Sequence, residues 1–271
     1  MKVAILCGGK GTRIREVSEA TPKPMLSIGN KPILWHIMKI YGAYGINEFV
    51  LLLGYKGEII RDYFLNLSDY ISDVTIDFSK SGPERMTVHD AEKEPWKITF
   101  VDTGDATMTG GRIWKARKYL ETERSFCLTY GDGVGDVDIH GLLGFHAKHE
   151  KCTSVTGVQP PGRFGEIRAK GEKVFAFNEK PQVTAGHING GFMVCNSDIF
   201  RRYLTPVESE VFEAGPVEKM VKDGELMMFE HQGFWQAMDT PREYSLLNEL
   251  WNTGKAPWKT WDRKERAKKA A

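Results

Sequence analysis

An apolar run at residues 3–7, Val-Ala-Ile-Leu-Cys, passes straight into Gly8-Gly9-Lys10-Gly11-Thr12-Arg13. No other stretch narrows the possible folds so far. A short, continuous apolar run without polar alternation fits a strand covered on both faces. Glycines at its end let backbone N–H groups approach a ligand that a side chain would block. Successive N–H donors in such a turn make an anion-binding concavity. Lys10 and Arg13 add positive charge, and Arg13 can grip phosphate oxygens in a bidentate manner.

Strand-like and helix-like segments alternate after this turn. Residues 32–44 set Ile33, Leu34, Ile37, Ile40 and Tyr41 at helical spacing. Residues 49–53 are a second continuous apolar run, followed by a helical pattern at 58–67. Strands are predicted at 97–101, 126–129, 154–158 and 191–195, and helices at 142–149 and 216–223. Such alternation predicts an α/β fold: a doubly wound, mixed and mostly parallel sheet of Rossmann-like type. One catalytic domain is expected over residues 1–254. Residues 67–97 break the rhythm and predict a β-hairpin insertion around Ser81-Gly82-Pro83, a lid or a subunit contact. Residues 255–271 form a basic C-terminal tail with seven Lys/Arg against two acids. Trp258 and Trp261 predict that its first part docks on the body.

The chain carries 37 Lys+Arg against 36 Asp+Glu, a net charge of +1. That balance gives no global attraction to nucleic acid or anionic lipid, so anion binding must be local. No apolar run approaches the ~20 residues that span a bilayer. The start of the sequence carries no signal-peptide pattern. The four cysteines lack the paired spacing of zinc or redox sites. A cytoplasmic location with no membrane or nucleic-acid partner is the expectation.

Known phosphate loops do not fit. A dinucleotide fingerprint needs a third glycine where Ile14 stands, and an acid ending the second strand where Gly54 stands. A Walker loop needs Lys followed by Ser or Thr, but Gly11 follows Lys10. What remains is G-G-x-G-T-R and then Pro22-Lys23-Pro24-Met25. The prolines fix an extended segment that presents Lys23 with little loss of chain entropy.

Together, GGKGTR and PKPM resemble the signature of the sugar-1-phosphate nucleotidyltransferases. The resemblance continues through Lys31-Pro32-Ile33-Leu34, Tyr130-Gly131-Asp132-Gly133, Glu179-Lys180-Pro181, Asn189-Gly190-Gly191 and Met238-Asp239-Thr240. The stretches WHIMKIYGAYGI, EPWKITFVDTGDATMTGGR, PPGRFGEI, GFWQAMDT and KAPWKTW are similar to the glucose-1-phosphate cytidylyltransferase branch. Thr21 departs from that branch, which usually has Lys there.

The resemblance implies a reaction of CTP with glucose 1-phosphate, giving CDP-glucose and pyrophosphate with the help of Mg2+. It implies catalytic roles for Arg13, Lys23, Asp132 and Lys180. Nucleotide contacts are implied for Leu6, Gly8, Gly9, Lys10, Gly11, Thr12, Arg13, Lys23, Thr103, Thr109, Gly110, Arg112 and Asp132. Tyr130, Gly165, Glu179, Lys180 and Asn189 would hold the sugar phosphate, and Asp132 and Asp239 the magnesium. A homo-oligomer is also implied. Competing readings stay open at several positions. Asp132 between two glycines suits a turn, Asp239 suits a cap on a helix starting at Pro241 or Arg242, and Arg112 suits a helix surface. His146 and His149 read as surface histidines, and His36 as lying near the edge of the core. Trp235 reads as packing. The same transfer with another nucleoside triphosphate or sugar 1-phosphate is the main alternative. A non-catalytic nucleotide-sugar-binding protein is the other.

Overall fold

In the computed structural model, Val3 and Ile5 of strand β1 (Lys2–Leu6) turn to one side, Ala4 and Leu6 to the other, and all four are buried. The structure describes residues 1–9, 11, 14, 20–67, 72–89, 94–159, 166–170, 173–178 and 186–262. The strands β2 (Glu48–Leu53), β3 (Lys97–Asp102), β4 (Ser125–Tyr130), β5 (Thr153–Val158), β6 (Ile188–Asn189), β7 (Met193–Asn196) and β8 (Leu226–His231) join β1 in one sheet. Its order is β6-β5-β7-β4-β1-β2-β3, with β8 also pairing with β5. Neighbours β4-β1-β2-β3 run parallel, as do β5 and β8. β7 is antiparallel to β4 and β5, and β6 is antiparallel to β5.

Alternation along the strands feeds two cores. Phe49, Leu51 and Leu53 of β2 join Val3 and Ile5, while Val50 and Leu52 join Ala4 and Leu6. The helices are α1 (Ile33–Gly42), α2 (Gly57–Leu65), α3 (Thr109–Lys115), α4 (Arg117–Leu120), α5 (Ile139–His149), α6 (Ile199–Arg202), α7 (Pro216–Lys222) and α8 (Pro241–Asn252). Ile37 of α1, Ile60 of α2, Leu142 of α5 and Leu247 of α8 enter the first core. Ile113, Leu120, Phe200 and Met220 of the other four helices enter the second. Helices on both faces of a mixed, mostly parallel sheet make the doubly wound, Rossmann-like α/β fold read from the sequence. No helix among the described residues is long and apolar enough to cross a membrane.

The insertion contains an antiparallel pair, Asp73–Ile76 with Met86–His89. Gly82 turns between them with φ +70°. The tail docks by its tryptophans: Trp258 is fully buried and Trp261 nearly so. Residues 263–271 lie outside the described part. All four cysteines are free and buried.

Three histidines depart from the sequence reading. His36 lies inside the core, fully buried, rather than at its edge. Its Nε2 faces the Ile28 carbonyl at 3.1 Å, while Trp258 Nε1–H donates to its Nδ1 at 3.4 Å, which fixes the neutral tautomer. His146 and His149 do not lie on the surface as free side chains. Lys151 N–H donates to His149 Nδ1 (2.9 Å), so His149 Nε2–H must donate to Ser154 Oγ (2.6 Å). The Ser154 hydroxyl then donates to His146 Nδ1 (2.9 Å), and His146 Nε2–H donates to Asn196 Oδ1 (3.0 Å). Asn196 Nδ2 closes the ring on the Lys151 carbonyl at 2.9 Å. A proton added to His149 sets its Nδ1–H against the Lys151 N–H, and one added to His146 takes away the acceptor that holds the Ser154 hydroxyl hydrogen.

Burial lowers the pKa of all three histidines, to about 4 for His36. A folded value below the unfolded one of about 6.5 gives stability that is complete above that pH and lost as pH falls. His231 has the opposite slope. Burial works against its imidazolium, but Asp136 outweighs burial and raises its pKa. Three groups against one predict a thermal unfolding midpoint, followed by tryptophan fluorescence, that falls between about pH 7 and pH 5. A midpoint that holds or rises over that range would contradict the neutral histidines.

Candidate active site

The carboxyl ends of β1 and β4 border a cavity of about 560 Å3. Open α/β sheets place ligands at such strand ends. Of the residues expected at a nucleotide, Leu6, Gly8, Gly9, Gly11, Lys23, Thr109, Arg112 and Asp132 line this cavity, together with Tyr130. Lys10, Thr12 and Arg13 lie outside the described residues, as do Gly165, Glu179 and Lys180.

The glycines serve different needs. Gly11 has φ +59°, which L side chains rarely adopt. Gly9 has open space where a Cβ would stand. A Cβ on Gly8 would overlap the Arg112 guanidinium, and so would one on Gly54. At Gly8 room for the arginine is thus a steric demand that the sequence reading did not include. Gly131 lets β4 close on β1: its N–H donates to the Leu6 carbonyl at 3.0 Å, and a Cβ would stand 2.8 Å from that oxygen.

Arg112 is 4 % exposed, so it is not a helix-surface charge. Its Nη1 donates to the carbonyls of Leu53 (3.1 Å) and Gly104 (2.8 Å) and to Thr103 Oγ1 (2.5 Å). Its Nη2 donates to the carbonyls of Gly8 (3.0 Å) and Asp105 (3.2 Å). The guanidinium thus ties the glycine turn to residues 103–105 instead of standing free for a phosphate. In a planar trans peptide, a Gly8 carbonyl held on Arg112 sends the Gly9 N–H the opposite way. Thr103 is fully buried and donates to the Leu53 carbonyl at 2.5 Å. Gly110 is buried where a Cβ would stand 2.9 Å from the Glu210 carbonyl. Neither lines the cavity. Residues 105–108 do line it; the sequence reading included them in a stretch of resemblance but gave them no site role.

Lys23 stands in a 3-10 turn (Lys23–Met25) entered through Pro22. Its ammonium donates to Asp132 Oδ2 and Asp239 Oδ1, each at 2.5 Å. Burial works against the charge, but Asp132 and Asp239 prevail and raise the lysine's pKa. The two acids lie far apart in sequence and meet through a short ladder. Gly133–Gly135 pairs antiparallel with Trp235–Ala237, and Met238 N–H extends the ladder to the Asp132 carbonyl at 2.8 Å. Asp239 does not cap α8. Thr240 does, in a capping box with Glu243, whose carboxylate also accepts the Asp239 N–H at 2.8 Å. Trp235 is half-buried and donates to the Gly190 carbonyl at 2.8 Å, the packing role read from sequence. No group of three or more His, Cys, Asp or Glu gathers as a metal cage among the described residues. Two carboxylates converging on one cation suit magnesium, which takes one or two carboxylates and fills the rest with phosphate and water.

The Tyr130 hydroxyl donates to Glu213 Oε1 at 2.5 Å and accepts from Asn189 Nδ2 at 3.1 Å. Glu213 also accepts from Thr109. No motif marked Glu213; it is an isolated acid whose partners are distant in sequence.

A family model described as Nucleotidyl transferase matches residues 2–251. The chain belongs to the nucleotidyl transferase family. Among relatives of this nucleotidyl transferase, the glucose-1-phosphate cytidylyltransferase of Salmonella typhimurium is 47% identical over 262 residues, 97% of this chain and 100% of the relative. The probable glucose-1-phosphate cytidylyltransferase of Bacillus subtilis is 44% identical over 261 residues, 96% of this chain and 100% of its own length. Among solved structures, HddC from Yersinia pseudotuberculosis has the same fold, with a TM-score of 0.68 at 24% identity, covering 92% of this chain and 99% of that one.

Gly8 and Gly9 separate the steric demands of the transferase's glycine turn. Gly8→Ala forces the guanidinium aside and should cost about 1–3 kcal/mol, the scale of an overpacked core. Gly9→Ala should change stability by no more than about 0.5 kcal/mol. Urea unfolding of the two variants checks this order, and equal effects would contradict it.

Proposed function

We propose that the chain transfers CMP from CTP to α-D-glucose 1-phosphate, releasing pyrophosphate. The observation that carries this reading is the Lys23–Asp132–Asp239 cluster beside the glycine turn. The near-full-length likeness to glucose-1-phosphate cytidylyltransferases supports the choice of substrates.

The chemistry sets the demands. An oxygen of the sugar phosphate attacks the α-phosphorus, the bond from that phosphorus to the β-phosphate bridge breaks, and pyrophosphate leaves. The nucleophile is already an anion, so positioning and charge stabilisation matter more than a strong base. Two like charges ~4 Å apart repel by about 4 kcal/mol at an effective dielectric of 20, and several such pairs must be offset.

The turn at Gly8, Gly9 and Gly11 supplies backbone donors for the triphosphate. Lys23, whose raised pKa keeps it cationic, stands where the glycine turn and the GDG turn meet. It neutralises charge as the α-phosphate and the sugar phosphate come together. Asp132 and Asp239 would hold magnesium, which when bound supplies charge neutralisation and alignment of phosphate oxygens. Tyr130 and Asn189 sit on the side assigned to the sugar phosphate. Lys10, Arg13 and Lys180 are proposed as further cations.

An assay of pyrophosphate release with CTP, UTP, dTTP, ATP and GTP tests the substrates. Turnover with CTP and glucose 1-phosphate is expected, and Lys23→Ala should lower it by roughly 10²–10³. Turnover with UTP or dTTP but not CTP would reject the cytidylyl reading.

A further inference from the structure

Glu213 stands 83 residues from Tyr130 and 104 from Thr109, yet one carboxylate engages both. The Tyr130 hydroxyl donates to Oε1 at 2.5 Å, and the Thr109 hydroxyl donates to Oε2 at 2.7 Å. Both partners line the cavity. Thr109 Oγ1 accepts from Phe212 N–H at 2.9 Å, so its single hydrogen is left for Glu213. Tyr130 likewise gives its single hydrogen to the carboxylate, so its oxygen can only accept, here from Asn189 Nδ2 at 3.1 Å. Asn189 Oδ1 in turn accepts from Gly191 N–H at 2.9 Å. An ionised carboxylate accepts and never donates. It therefore takes the hydroxyl hydrogens of Thr109 and Tyr130 and leaves the Tyr130 oxygen to accept from Asn189, whose amide the Gly191 N–H orients.

Charge adds a second argument. Glu213 stands behind the cavity lining, and its charge acts on the cavity through the two lining hydroxyls it holds. Burial, and then the Glu213 charge, push the Tyr130 phenol up, so it stays a donor at any physiological pH.

We infer that Glu213 is a positioning residue for the sugar-phosphate half of the site, acting through the Tyr130 hydroxyl on Asn189. The inference rests on the glucose 1-phosphate reading above. Steady-state kinetics of Glu213→Ala, Glu213→Gln, Tyr130→Phe and the double variant Glu213→Ala/Tyr130→Phe test it, with the nucleotide that serves the wild type best. The KM for glucose 1-phosphate should rise about tenfold in Glu213→Ala and Tyr130→Phe, the scale of one hydrogen bond to a charged group, with KM for the nucleotide changing less than about twofold in Tyr130→Phe, which leaves the Thr109 bond in place. The double variant should be no worse than the poorer single one, because both break one link. Glu213→Gln keeps the shape and one acceptor oxygen and should recover part of the loss. Should Glu213→Ala unfold, Glu213→Gln and Tyr130→Phe still decide the matter. Additive losses, an equal rise in KM for the nucleotide in Tyr130→Phe, or an unchanged KM for glucose 1-phosphate in folded variants would overturn the role. Wild-type inactivity with every nucleotide would instead defeat the reading of the site itself.

Discussion

One ammonium shared by two carboxylates holds this site together. Lys23, Asp132 and Asp239 come from the start, the middle and the end of the chain, with separations of 109 and 216 residues from the lysine. Two carboxylates this close repel unless a cation stands between them. Lys23 is that cation, and burial with two acids holds it charged. Each partner also depends on local backbone control. Pro22 and Pro24 fix the lysine's turn, Gly131 lets β4 press against β1, and the short ladder at Gly133–Gly135 draws in Asp239. Lys23 thus neutralises the two acids proposed to hold magnesium.

The sheet explains why these segments meet. Parallel strands β1 and β4 end side by side, so the turns that follow them share one edge. Arg112 then braces that edge from beneath through bonds to five groups, reaching the ends of β1 and β2 and residues 103–105. Buried polar groups need partners, and a guanidinium surrounded by carbonyls satisfies both sides at once. The brace explains glycine at both Gly8 and Gly54, which flank the guanidinium. Positioning by Arg112 and charge control by Lys23 are therefore separate functions in one cavity.

Much of this was legible in the sequence. Continuous apolar runs gave β1 and β2, because strands buried on both faces leave no alternation to misread. Helical spacing gave α1. The signature residues Lys23, Asp132 and Asp239 were legible as a set only by resemblance, since two acids 107 positions apart carry no spacing signal. Other features were hidden by long-range packing. Arg112 stayed open between a nucleotide contact and a helix-surface charge because helix α3 gives no sign of the carbonyls that surround it. Gly110 and Gly111 weaken a helical pattern, yet each makes room for the backbone of residues 207–210. His146 and His149 looked like surface groups because Ser154 and Asn196, which complete their ring, lie on β5 and β7. Glu213 had no local mark at all.

A crystal structure of the chain with CTP, magnesium and glucose 1-phosphate tests the central claim most directly. The account predicts the triphosphate against Gly8–Gly11, a divalent ion between Asp132 and Asp239, and the Lys23 ammonium turned from the carboxylates toward the phosphates. An unbroken Lys23 pair with the nucleotide bound away from the glycine turn would contradict it.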